Sequence, residues 1–64
     1  MKDFRVTYHG SVNLVRPLTP EAEAWITDNV SDEAQFMGDA LVVEPRYTED
    51  LREGMMLAGL EEVH

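Results

Sequence analysis

Residues 4–8, Phe-Arg-Val-Thr-Tyr, alternate apolar and polar positions. That period of two is the mark of a strand with one face buried. Residues 12–16, Val-Asn-Leu-Val-Arg, nearly repeat it, and His9, Gly10 and Ser11 lie between. Two hairpin registers compete. A two-residue turn at Gly10-Ser11 pairs Tyr8 with Asn13 and Val6 with Val15, and turns Val12 and Leu14 to the other face. A three-residue loop pairs Tyr8 with Val12, Val6 with Leu14 and Phe4 with Arg16. The second register gathers five apolar side chains on one face, so the pattern favours it, with Gly10 as the left-handed loop residue.

The period then changes. Ala22, Trp25, Ile26 and Val30 recur at helical spacing behind Thr19-Pro20. Thr19 suits the N-cap, Pro20 the first helical position, and Glu21 and Glu23 the positive end of the helix dipole. This helix is expected to end near Asn29. Next, Ala34–Met37 and Ala40–Glu44 flank Gly38-Asp39. A two-residue turn there pairs Phe36 with Leu41 and Ala34 with Val43. Pro45 stops the second of these strands. A second helix is predicted to start between Pro45 and Glu49, with Thr48 as cap, Glu49 and Asp50 in its first turn, and Leu51, Met55 and Ala58 as its inner stripe. Gly59 fits the left-handed position after a helix, and Leu60 folds back on Met55 as in a Schellman motif. The tail, residues 61–64, is expected to fray.

Strand, strand, helix, used twice, predicts an α+β domain spanning residues 1–64. The expected form is a two-layer ββαββα arrangement, a four-stranded, mainly antiparallel sheet with both helices on one face. The pattern leaves strand order open.

Charge adds a second layer to this picture. The chain has 13 acidic and 5 basic residues among 64, a formal net charge of -8. The balance is lopsided: residues 1–16 hold three bases and one acid, whereas residues 17–64 hold two bases and twelve acids. A strongly negative body repels nucleic acid and anionic membranes and attracts basic protein surfaces. Glu21, Glu23, Asp28, Glu49, Asp50 and Glu53 fall on the outer helix faces. Carboxylates spaced along a helix face can occupy Lys/Arg sites that otherwise bind phosphates. The plainer reading is a solvated face that keeps a small domain soluble. Self-repulsion also predicts that moderate salt stabilises the fold.

The opposite sheet face is expected to show Val15, Met37 and Val42 without a covering helix. If contiguous, they form an alternative interface for a homodimer or another protein.

Little in the sequence suggests chemistry. With no cysteine, neither a disulfide nor a thiolate metal site is available. His9 beside Ser11 lacks a base and an orienting group by spacing alone, so it reads as an exposed loop histidine. His9 and His64 share no metal-ligand spacing, and Asp28, Asp32 and Glu33 lack the pattern of a calcium loop. Glu49 and Glu53 share a helix face, as solvated helices commonly allow. A non-enzyme without cofactor or metal is therefore expected. No apolar run exceeds four residues, far below the roughly 20 of a membrane span. The Met-Lys-Asp-Phe-Arg start has no apolar stretch behind it, so a cytoplasmic location is expected.

Tyr8-His9-Gly10-Ser11 with Val12 and Leu14, Pro17, Trp25, Val43-Glu44-Pro45-Arg46-Tyr47, Leu51, Gly54-Met55 and Gly59-Leu60 together resemble short, poorly characterised proteins encoded by bacteriophages and plasmids. The resemblance covers most of the chain but carries no catalytic motif. It implies a mobile-element setting, in which small acidic proteins often inhibit host defence, as anti-CRISPR and antirestriction proteins do. The leading expectation is thus an inhibitor that docks its acidic helical face on the basic surface of a nucleic-acid-binding complex, without touching nucleic acid itself. The alternative is a homodimeric interaction or assembly module using the open sheet face.

Overall fold

A computed structural model describes residues 2–63. In chain order the elements are β1 (Phe4–His9), β2 (Val12–Pro17), α1 (Pro20–Asn29), β3 (Phe36–Met37), β4 (Ala40–Val43), α2 (Pro45–Leu57) and β5 (Glu62–Val63). The five strands form one mixed sheet in the order β3-β4-β2-β1-β5. β1–β2, β2–β4 and β3–β4 are antiparallel, and β5 joins the free edge of β1 in parallel. Both helices lie on the same face. Phe4, Val15, Leu41 and Val43 from that face pack with Ala22 and Ile26 of α1 and Met55 of α2 in one core.

The α+β class and the two-helix layer are as expected; the strand count and one register are not. β5 replaces the frayed tail: Glu62 is buried and pairs with Phe4, and the Asp3 and Phe4 amides both donate to the Glu61 carbonyl. Asp3 joins three elements. Its carboxylate accepts from the Thr19 hydroxyl at 2.8 Å and the Glu61 amide at 2.9 Å, while its carbonyl accepts from the Leu18 amide. Those donors, the Glu61 amide first and the Thr19 hydroxyl second, hold its pKa below the ordinary aspartate value. Arg52 completes the attachment, donating from Nε to the buried Glu62 carboxylate at 2.8 Å.

The first hairpin takes the two-residue turn. Tyr8 pairs with Asn13, Val6 with Val15 and Phe4 with Pro17, and Gly10 has φ 69. A positive φ at the first loop position suits the right-handed twist of a hairpin. Counting apolar residues per face misjudged this register for two reasons. β2 lies mid-sheet, so Leu14 is buried on the open face between its cross-strand neighbours Thr7 and Val42. Asn13 faces the helices but does not sit there unsatisfied. Its Nδ2 donates to Thr48 Oγ1 at 2.8 Å, and both residues are buried.

Thr48 is therefore not the cap of α2. Glu44 occupies that position without a side-chain cap bond, Pro45 is the first helical residue, and Glu49 and Asp50 lie beyond the first turn. Pro45 fixes a helical φ and has no N–H to satisfy, so the helix can begin three residues before Thr48. At the other end Ala58 is the exposed C-cap rather than part of the inner stripe, which Thr48, Leu51 and Met55 supply. The Schellman closure forms as expected, with Gly59 at φ 88, the Leu60 amide on the Met55 carbonyl and the Gly59 amide on that of Met56. α1 also follows its sequence signals: Thr19 caps the Ala22 amide at 3.2 Å, Pro20 opens the helix, and Asn29 ends it. The second hairpin pairs Phe36 with Leu41 as expected, but its ladder stops short of Ala34–Val43.

Candidate functional site

Sheet and helices carry opposite charge. On the open sheet face Arg5 and Arg16 stand directly opposite each other across β1 and β2. On the helical layer Glu21, Glu23, Asp28, Glu49, Asp50 and Glu53 are all exposed. Most bases are engaged by acids outside that set: Lys2 with Glu61, Arg16 with Asp39, Arg46 with Glu44, and Arg52 with Glu62. Glu49 is the exception, since Arg52 pairs with it as well. Among the described residues, Glu21, Glu23, Asp28, Asp50 and Glu53 have no ion-pair partner. Two adjacent acids raise the Arg52 pKa above its ordinary value, Glu62 more than Glu49.

Helix geometry divides the six acids. α1 meets α2 where Trp25 faces Gly54; a Cβ on Gly54 would lie 3.2 Å from the indole Cζ2. A side chain there would push the ring back by a few tenths of an ångström, so glycine gives the closest approach. Glu21 and Asp28, four residues before and three after Trp25, share its flank of α1. Asp50, four before Gly54, shares the matching flank of α2. Of the six, Asp50 borders the cleft between the helices, whereas Asp28 shares an outer depression of α1 with Glu23. On α2, Glu49 pairs with Arg52 and shares a flank with Glu53 one turn on. The six are therefore spread over several helix flanks rather than forming one continuous field.

Between the helices an open cleft of about 520 Å³ is lined by Trp25, Val30, Ala34, Leu41, Val43, Tyr47 and Leu51. Glu44, Asp50 and Ser31 supply its polar border. Tyr47 is half exposed, and the Arg46 guanidinium lies 4.8 Å from its ring centroid while pairing with Glu44 at 3.4 Å. Helical spacing alone places Trp25 on the apolar stripe of α1, with no indication that it lines a cleft. The one available signal was Gly54 inside a helical stripe, which marks a close approach by something large.

The alternative interface is revised. Val15 is on the helical side and fully buried, so it cannot belong to an exposed sheet face. Met37 is exposed and Val42 half buried, and Leu14 takes the place assigned to Val15 as the cross-strand neighbour of Val42. His9 and Ser11 are exposed at the tip of the first hairpin. His64 lies outside the described residues. Among the described residues no group of three or more His, Asp or Glu is placed to hold a metal ion, and no helix is long and apolar enough to cross a membrane.

Compared with protein-family models, with curated protein sequences and with solved structures, the chain shows no significant match.

Proposed function

We propose that this protein is a small, non-enzymatic inhibitor that binds the basic surface of a nucleic-acid-binding complex through its helical layer. The host-defence setting, anti-CRISPR or antirestriction, follows from the resemblance of the sequence to mobile-element proteins. One observation carries the reading. The exposed acids of the helical layer, Glu49 apart, have no partner base among the described residues, while four of the five bases are used in ion pairs. The negative charge of that layer is left for an external partner. Its binding should weaken steeply with salt, as phosphate-mimicking contacts do.

The test is co-purification from a bacterial host carrying defence systems, at low and high salt. The expected result is a nuclease or effector subunit that elutes with salt and is lost when Glu21, Asp28 and Asp50 are together changed to Lys. The Glu49, Asp50 and Glu53 triple reversal tests the acids of α2 separately. Unchanged capture by both folded variants rejects the acidic layer. A second reading, a homodimer through the open sheet face, is favoured by the contact of Leu14 with Val42 across β2–β4 and the exposure of Met37 on the same face. Recovery of the protein alone, as a salt-resistant dimer broken by Val42→Lys, would select that reading.

A further inference from the structure

We infer that the cleft between the helices is an anchor site for a cationic, amphipathic peptide segment of the partner, taking its apolar side chains inside and its Lys or Arg at the rim. The inference rests on reading the helical layer as a protein-binding surface, and it specifies the chemistry of what binds there. The walls are apolar, from Trp25, Leu41 and Leu51, and a volume of about 520 Å³ is in the range that takes a drug-sized group or two to three side chains. Trp and Tyr side chains that a partner can cover, such as the partly buried Trp25 and half-exposed Tyr47, are where interfaces concentrate their energy. The rim is anionic. Asp50 has no ion-pair partner among the described residues, and Glu44 has only Arg46.

Arg46 shows what that rim can hold. Its guanidinium lies over the Tyr47 ring at 4.8 Å and pairs with Glu44 at 3.4 Å, which combines a cation–π contact with an ion pair. The chain's own arginine thus occupies the place a partner's arginine would take, and the two compete. Nucleic acid would meet repulsion at this rim, and a neutral apolar ligand would leave Asp50 unmatched. A basic segment with interleaved apolar residues satisfies both the walls and the rim.

Trp25 is the single tryptophan of the chain and lines the cleft, so its emission reports occupancy. The probes are two tryptophan-free synthetic peptides of equal charge, one alternating Leu and Lys, the other alternating Ser and Lys. The Leu/Lys peptide should shift Trp25 emission and bind roughly 10-fold tighter than the Ser/Lys peptide. Tyr47→Ala, at a half-exposed position outside the core, should bring the two affinities close together with an unchanged circular dichroism spectrum. Arg46→Ala should strengthen Leu/Lys binding several-fold by freeing the Tyr47 face. Equal binding of both peptides with unaltered Trp25 emission overturns the anchor site but leaves the acidic layer standing. Binding of neither overturns both. Trp25 emission that depends on protein concentration without peptide assigns the cleft to a second copy and also overturns the inference.

Discussion

The buried Asn13–Thr48 hydrogen bond sets the seating of α2 on the sheet, and Thr48→Val measures its worth. Valine has nearly the shape of threonine, so packing around this buried position is preserved. The hydroxyl has two roles. It accepts from Asn13 Nδ2 at 2.8 Å and donates to the Glu44 carbonyl at 3.2 Å. The carbonyl keeps the Tyr47 amide at 2.9 Å as a partner, so its loss is small. The Asn13 amide keeps none, and Asn13 is only 4% exposed. Orphaning one buried donor costs about 1–3 kcal/mol. In a domain of this size each kcal/mol moves Tm by about 4–8 °C, so the expected fall is on the order of 10 °C. Urea unfolding followed by Trp25 fluorescence should give a lower midpoint with the same m-value. Replacing both partners, Asn13→Leu with Thr48→Val, removes the orphan and should recover most of the loss, a coupling of about 1–2 kcal/mol. A neutral Thr48→Val, or a double variant equal to the sum of the singles, would refute the reasoning. Because Thr48 is one residue from Tyr47 and two from Asp50, the single variant should also weaken Leu/Lys peptide binding.

Three further outcomes are expected. Arg52→Gln leaves the Glu62 carboxylate buried without its cation and should cost about 2–4 kcal/mol, with faster hydrogen exchange at the Asp3 and Phe4 amides as β5 detaches; unchanged exchange there would show that β5 does not depend on this pair. The lowered pKa of Asp3 stabilises the fold above the pKa it has when unfolded, and that contribution is lost as pH falls through the lower folded value. The Tm gap between the parent and Asp3→Asn should therefore be full near neutral pH and close in strong acid, whereas a gap constant across the titration contradicts the Asp3 contacts. Raising NaCl to about 0.3 M should raise Tm by screening the acidic layer, because exposed ion pairs such as Lys2–Glu61 contribute little to be lost; a lower Tm would mean that the pairs outweigh the repulsion.

Local chemistry made much of this fold legible. Thr19-Pro20 starts α1, Gly38-Asp39 turns the second hairpin with Phe36 opposite Leu41, and Gly59-Leu60 closes α2, because caps and tight turns are decided by the backbone preferences of a few adjacent residues. The excess of acid over base, and its place on outer helix faces, also followed from sequence and helical period. Tertiary structure decided the rest. Asn13 and Thr48 each look like a surface or capping residue alone, and only their meeting across 35 positions makes them a satisfied core pair. That pairing, with a mid-sheet β2 buried on both faces, selected the two-residue hairpin and moved Val15 into the core. Glu62 reads as a frayed polar tail until Arg52 and the free edge of β1 receive it. Trp25, one wall of the cleft, packs on Gly54, a contact between two helices 29 residues apart that no local periodicity encodes. Sequence fixes which side chains are charged or apolar and how each segment starts and stops, since those are short-range properties. Which polar groups find partners, and which acids are left without them, depends on long-range packing that brings distant residues together.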